Sequence, residues 1–332
     1  MKKAIIQVQN LTKTYRVPER PPGLSASVRS LFKPEYRDVE AVRDISFEVQ
    51  SGEMVGLIGP NGAGKTTTLK MLSGLLYPTS GKAVVAGFTP WERHTDYLRR
   101  ISMVMGNRSA MNWDIPPLDS FRVLSQIYRV PESSYQRILD ELIDLLDMEA
   151  LLRKPVRNLS LGERMKCEFV AGLLYQPEIL FLDEPTLGLD VAMQRRIRQF
   201  LKSYNTEHEV SVILTSHYMA DVTALCPRVM LIHHGQLIYD GKLQSLAEKL
   251  APFKLIKLQL NAQVADLQDF LKDFPSVELL PKEDGYHSLR VARSQVASVT
   301  AQLLGQLPIA DLSVEDPPIE AVIDQIFEEG SV

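Results

Sequence analysis

The chain has 332 residues, 45% apolar and 23% charged, with a net charge of −4. That length favours two domains, the composition is that of a globular protein, and the acidic balance excludes an overall basic field for holding nucleic acid. No run approaches the ~20 apolar residues of a membrane-spanning helix, and the start, "MKKAIIQVQN", turns polar too early for a signal peptide. The two cysteines, Cys167 and Cys226, lack C-x-x-C spacing and read as reduced thiols.

"AIIQVQNLTKTYRV" alternates like an opening strand. A Pro- and charge-rich stretch follows and reads as an insertion over about residues 18–40. Within it Leu24, Val28, Leu31 and Phe32 have helical spacing, which suits either a helix for a partner or membrane surface or one packed on its own domain. "DISFEVQSGEMVGLIGP" predicts two strands with a turn at Ser51–Gly52, "GKTTTLKMLSGLL" a helix and "GKAVVAGF" a short strand. The pattern is helical from about Leu118 to Tyr175. "EILFLD" and "EVSVILTSH" read as strands on either side of a helix from about Val191 to Tyr204, and "YMADVTALC" as a further helix. "RVMLIHHGQLIYDG" reads as two strands turning at Gly235. Beyond about Pro252 the segments read β-α-β-β-α-β-α, the first six in ferredoxin-like order.

"GPNGAGKT", Gly59 to Thr66, matches G-x-x-x-x-G-K-[ST] between a predicted strand and helix. Gly59, Gly62 and Gly64, with Pro60, Asn61 and Ala63 between them, let the backbone curl so that N–H groups point at phosphate oxygens. The helix that follows, with Thr67 in its first turn, adds its positive end. Lys65 reaches the β- and γ-phosphates, and the Thr66 hydroxyl is placed to ligate Mg²⁺. "ILFLDEP" is an apolar strand ending in two acids. Asp183 at its end falls near the metal, and Glu184 one step on can activate the attacking water.

The phosphate loop, "LSLGE" at 159–163, "LDEPTLGLD" at 182–190 and "TSH" at 215–217 follow in that order. Together they resemble the nucleotide-binding subunit of ATP-binding-cassette (ABC) transporters, over roughly residues 4 to 250. The resemblance implies a P-loop NTPase cassette of α/β class: a RecA-like core, an antiparallel β subdomain and a helical subdomain at about 107–175. The domains are then 1–250 for ATP binding and 251–332 for a small α+β ferredoxin-like domain, accessory or regulatory. "LSLGE" is similar to the signature motif LSGGQ. It departs at Leu161, which requires a backbone free of positive φ, and at Glu163, whose side chain is expected to point away from phosphate. In the family Ser160 and Gly162 close over the γ-phosphate held by a second cassette. Asp190 resembles the residue that reaches across that interface, His217 the switch histidine at the γ-phosphate, and Tyr15 the aromatic that stacks on adenine.

Asn107 stands where the family carries a Gln that reaches Mg²⁺ and the attacking water. Asn keeps the amide but is shorter by about 1.5 Å, one C–C bond. Either the loop sits closer, a water bridges, or ligation is lost; the bridging water is the hypothesis, with hydrolysis kept. The resemblance implies an ATPase, with ATP and Mg²⁺ as cofactors, that dimerises with its own copy or a related cassette around two ATP molecules. It would drive a separate integral membrane permease from the cytoplasmic face of the membrane. "GNRSAMNWDIPPLDSF" and the C-terminal domain are similar to the group that powers ABC-2-type exporters, so export is preferred. The alternative is a soluble ABC ATPase acting on ribosomes or DNA. A single cassette without a basic tail or sustained heptads argues against it, and no nucleic-acid partner is expected. Lys65, Asp183, Glu184 and His217 argue against an inactive regulatory cassette. The cargo is not readable from these residues.

Overall fold

The structure, a computed structural model, describes residues 3–19, 35–106, 109–216, 218–250, 253–261, 271, 274, 277–283, 285–317 and 322–323. Leu24, Val28, Leu31, Phe32, Asn107 and His217 lie outside them, as do most of the helix expected over "VADLQDFLKDF" and most of the closing "PIEAVIDQIFEE". The chain forms two compact units, Met1–Lys242 and Leu243–Val332. No helix among the described residues is long and apolar enough to cross a membrane.

The first unit opens with strands β1 (Ala4–Glu19), β2 (Glu35–Gln50) and β3 (Met54–Ile58), then helix α1 (Lys65–Leu72) and strand β4 (Ser80–Val85). Helix α2 (Thr95–Arg100) and strand β5 (Ile101–Met105) lead into three helices, α3 (Pro117–Ile127), α4 (Glu132–Leu146) and α5 (Leu161–Leu173). Then come β6 (Ile179–Asp183), α6 (Val191–His208), β7 (Ser211–Thr215), α7 (Met219–Leu225), β8 (Arg228–His233) and β9 (Gln236–Lys242).

β3, β6 and β7 are short apolar runs buried at every residue, as strands covered on both faces must be. They lie inside a six-stranded sheet of order β5-β6-β7-β3-β8-β9. Every pairing in it is parallel except β8 with β9, whose hairpin turns at His234 (φ 47°) and Gly235 (φ 79°), the positive-φ pair a tight turn requires. A second, antiparallel sheet has the order β2-β1-β4. Along β2, Ile45, Phe47 and Val49 are buried while Ser46 and Glu48 are exposed, so one face meets the core. That face packs with Val55, Leu57, Phe181 and Ile213 of the parallel sheet into one apolar cluster. On α4 the buried residues Tyr135, Ile138, Leu139, Leu142 and Leu146 follow the 3.6-residue period.

Two departures from the sequence expectation have physical reasons. The stretch 18–40 is strand at both ends, because β1 runs to Glu19 and pairs with β2 from Glu35 onward; Pro18 pairs with Tyr36. Mixed charges and prolines hid an extension whose side chains are exposed. "ISMVM" forms β5, a run too short for periodicity to separate strand from helix.

In the second unit α8 (Leu243–Leu250) precedes β10 (Phe253–Leu260), β11 (Glu278–Glu283), β12 (Tyr286–Ala292), α9 (Val296–Gln306) and β13 (Ile309–Glu315). The sheet is antiparallel with order β11-β12-β10-β13, the ferredoxin-like arrangement. Ile256, Leu258, Leu289 and Val291 on its inner face pack with Val299 and Leu303 of α9.

Candidate nucleotide site

The phosphate loop joins the buried strand β3 to α1, and its curl is forced by its neighbours. A Cβ on Gly59 would lie 2.1 Å from the Ile232 carbonyl oxygen on β8. One on Gly64, at φ 107°, would lie 2.3 Å from the Ala41 carbonyl oxygen on β2. Gly62 is also at positive φ, 80°. Gly235 donates to the Ala63 carbonyl at 3.1 Å and accepts from Arg43 at 2.7 Å, so the β8–β9 turn and β2 brace the loop from outside. Asn61 and Gly62 are exposed, Pro60, Thr66 and Thr67 half-buried, and Ala63, Gly64 and Lys65 buried.

The Lys65 ammonium donates to the Gly59 carbonyl at 2.6 Å and the Pro60 carbonyl at 3.1 Å. Burial lowers its pKa, and the carboxylates of Glu184 and Asp183 partly oppose that shift. β6 is parallel to β3 with β7 between them, so Asp183 ends its strand beside the loop. The Thr66 hydroxyl donates to Asp183 Oδ1 at 2.9 Å and the Thr215 hydroxyl to the same oxygen at 2.8 Å. Among the described residues, both hydroxyls donate to Oδ1. Two hydroxyls and a carboxylate are the oxygen donors a hard divalent ion prefers, so the set fits Mg²⁺.

Glu184 has φ 54°, unusual for a residue with a Cβ. Its N–H is held by both the carbonyl and the hydroxyl oxygen of Thr215, at 3.1 and 3.2 Å. Gly106 lies against it: a Cβ there would be 2.3 Å from the Glu184 carbonyl oxygen, and its N–H donates to the Asp183 carbonyl at 3.0 Å. The segment that continues to Asn107 therefore leaves from the two acids. Buried Asp221 accepts from the hydroxyls of Thr186 and of Ser216 (2.8 Å) and pairs with Arg198 at 2.6 Å. It thus ties the turn after Glu184 to the residue before His217.

The signature segment forms a separate cluster. Ser160 is the N-cap of α5; its hydroxyl accepts the Glu163 N–H at 3.3 Å, and the Glu163 carboxylate accepts the Ser160 N–H at 2.7 Å. Glu163 is thus folded back as the far half of a capping box, where Glu serves as well as Gln. Two of the four orphan donors are satisfied, and the N–H groups of Leu161 and Gly162 are left without an intrahelical partner. Leu161 takes the first helical position, not positive φ, and lies over Gly188, whose Cβ would be 3.1 Å from its Cδ2. A Cβ on Gly162 would be 3.0 Å from Met193 at the start of α6. Asp190 caps that helix, accepting the Met193 N–H at 2.9 Å. Among the described residues, Ser160 makes hydrogen bonds only within its own helix start.

Tyr15 pairs with Val39, two residues along β2 from the Ala41 that touches Gly64, with the Lys13 ammonium 5.3 Å from its ring. The structure thus gathers Lys65, Thr66, Asp183 and Glu184 at one point, and Ser160, Gly162 and Asp190 at another. Sequence reasoning missed the work of Thr215, Gly106, Glu168 and Asp221. Thr215 sat inside a quoted motif, but its contact with Asp183 exists only across strands.

Residues 42–187 match the family model "ABC transporter", and residues 252–315 the model "EvrA-like ABC transporter, C-terminal domain". The ABC transporter ATP-binding protein NatA of Bacillus subtilis is 32% identical over 217 residues, 65% of this chain and 88% of that protein. The doxorubicin resistance ATP-binding protein DrrA of Mycobacterium tuberculosis is 29% identical over 299 residues, 86% of this chain and 87% of its own. The linearmycin resistance ATP-binding protein LnrL of Bacillus subtilis is 29% identical over 296 residues, covering 87% and 94%. Among solved structures, a dimeric ATP-binding cassette in a post-hydrolysis state with ADP and phosphate shares the fold. Its TM-score is 0.59 at 22% identity, covering 71% of this chain and 98% of that one. The motifs, the two-sheet cassette and the relationship to NatA lead to one conclusion: the chain belongs to the ATP-hydrolysing, ATP-binding subunits of ABC transporters.

Proposed function

We propose that the Lys65–Thr66–Asp183–Glu184 cluster is the hydrolytic site, and that it drives export through a separate membrane permease. The observation that carries this reading is the 2.9 Å contact between the Thr66 hydroxyl and Asp183, which joins phosphate loop and acidic strand end. The N–H groups of Gly62 to Thr67 cradle the phosphates of ATP, and Lys65 exchanges two carbonyl partners for phosphate oxygens. Thr66 and Asp183 would hold Mg²⁺, with Asn107 as a further candidate ligand. When bound, the ion offsets charge on the β- and γ-phosphates. Glu184, fixed through its backbone by Thr215, accepts the proton of the attacking water. His217 orients that water at the γ-phosphate. Tyr15 stacks on the adenine.

Ser160, Leu161 and Gly162 present a hydroxyl and two unused N–H groups at a helix start, and have no phosphate of their own to face. A second copy or a related cassette would bring its ATP there, with Asp190 at the same interface. Binding would close the pair and hydrolysis release it. Two relatives carry names of drug resistance, which favours export; the chain would work peripherally at the cytoplasmic face of the membrane.

The test is ATP turnover with Mg²⁺. Glu184→Gln should keep nucleotide binding and lower turnover by about 10²-fold or more, and chelating the metal should abolish it. Unchanged turnover in Glu184→Gln would overturn the assignment. Asn107→Gln should stay within about tenfold of wild type, ~1.4 kcal/mol of barrier; a larger gain would mean that the native site is weakened.

A further inference from the structure

Glu168 is a buried carboxylate in the middle of α5. The Ser109 hydroxyl donates to its Oε1, and the Ala110 N–H lies 3.0 Å from Oε2 and 3.2 Å from Oε1. Ser109 also accepts the Met111 N–H at 3.2 Å, so the loop is braced on both sides of Ala110. The loop's other end is pinned at Gly106, against the backbone of Asp183 and Glu184.

The described part of the loop also meets α5 through Trp113, whose ring lies 5.1 Å from the Arg164 guanidinium, and its Met111 is buried. Glu168 lines two cavities, one of ≈ 290 Å³ beside Met105, Leu124 and Tyr175 and one of ≈ 260 Å³ beside Gly106, Trp113 and Arg164. Between them the attachment is polar. One turn further on, α5 is seated on β5: a Cβ on Gly172 would come within 2.7 Å of the Ser102 hydroxyl oxygen. Eight residues in the other direction, about 12 Å along the axis, stands Ser160. Burial raises the pKa of Glu168, and the Ser109 and Ala110 donors oppose the shift.

We propose that Glu168 is a positioning residue for ATP hydrolysis: by holding Ser109 and Ala110 on α5, it keeps the signature end of that helix in register with the loop that leaves Asp183 and Glu184. The proposal rests on the hydrolytic site assigned above. It names a physical link between the two clusters.

The experiment is steady-state ATP turnover of the full chain in its native assembly, wild type beside Glu168→Ala, Glu168→Gln and Ser109→Ala. The exposed position of Ser109 makes the last variant safe for folding. Glu168→Ala should lower kcat by about tenfold or more with KM for ATP within about twofold, because the phosphate loop is untouched. Ser109→Ala should lower kcat by about threefold, with no further loss when combined with Glu168→Ala. Glu168→Gln, which can still accept from Ala110, should recover to within about threefold of wild type. Unchanged kcat in Glu168→Ala and Ser109→Ala overturns the proposal. So does a parallel loss of kcat, ATP affinity and thermal stability with Gln no better than Ala, since that is a purely structural role. Absent turnover in wild type would overturn the ATPase assignment itself, and this proposal with it.

Discussion

Two carboxylates on helix α5 are driven in opposite directions by their surroundings. The Ser160 N–H holds the Glu163 pKa below its usual value, while burial lifts that of Glu168. Glu163 therefore adds stability above its unfolded pKa of about 4.3, lost as pH falls through the lower folded value. The charge of Glu168 costs nothing below about 4.3, where folded and unfolded chains are both protonated, and an increasing amount as pH rises through its folded value. Urea unfolding over about pH 3 to 8 should then show wild type gaining on Glu163→Gln and losing ground to Glu168→Gln as pH rises. Parallel pH dependence of the two variants would contradict both assignments. At this scale the motifs singled out Lys65, Thr66, Asp183 and Glu184, which the fold brings together. The sequence was not legible at Glu168, whose partners lie 58 and 59 residues away. The Ser160–Glu163 spacing is itself the S-x-x-E signature of a capping box, and the two residues make that reciprocal contact.

At the scale of elements, apolar runs bounded by motifs were enough for β3, β6 and β7, because strands buried on both faces need no alternation. β5 and the ends of β1 and β2 were missed because five mixed residues, or exposed strand ends of mixed charge, carry no decisive period. The elements also explain why Glu184 can hold a left-handed backbone: Gly106 leaves room for its carbonyl. Gly106→Ala should force the two apart at a cost of about 1–3 kcal/mol. Turnover should fall by roughly tenfold or more with nucleotide binding kept; wild-type turnover would show that the approach is not required. Asp221→Ala would leave the half-buried Arg198 and two buried hydroxyls without their partner. It should destabilise the fold by about 3–5 kcal/mol, read as a lowered Tm, and a change under about 1 kcal/mol would show that the pair is solvated.

For the whole molecule, the cassette and the ferredoxin-like unit each have their own core. The order of motifs pointed to the cassette, and the shift in pattern after about Pro252 to a second unit; the compact units divide between Lys242 and Leu243. The residues proposed for the chemistry lie in the first unit, in two clusters, one at the phosphate loop and one at the start of α5. That separation favours reading the chain as half of a catalytic pair. The most direct measurement is to tag the chain in its host, solubilise the membranes in mild detergent and identify what co-purifies, assaying ATP turnover in the same fraction. The account predicts a polytopic membrane protein at matching stoichiometry, with turnover that Glu184→Gln removes. A ribosome, a DNA complex or no membrane partner would contradict it.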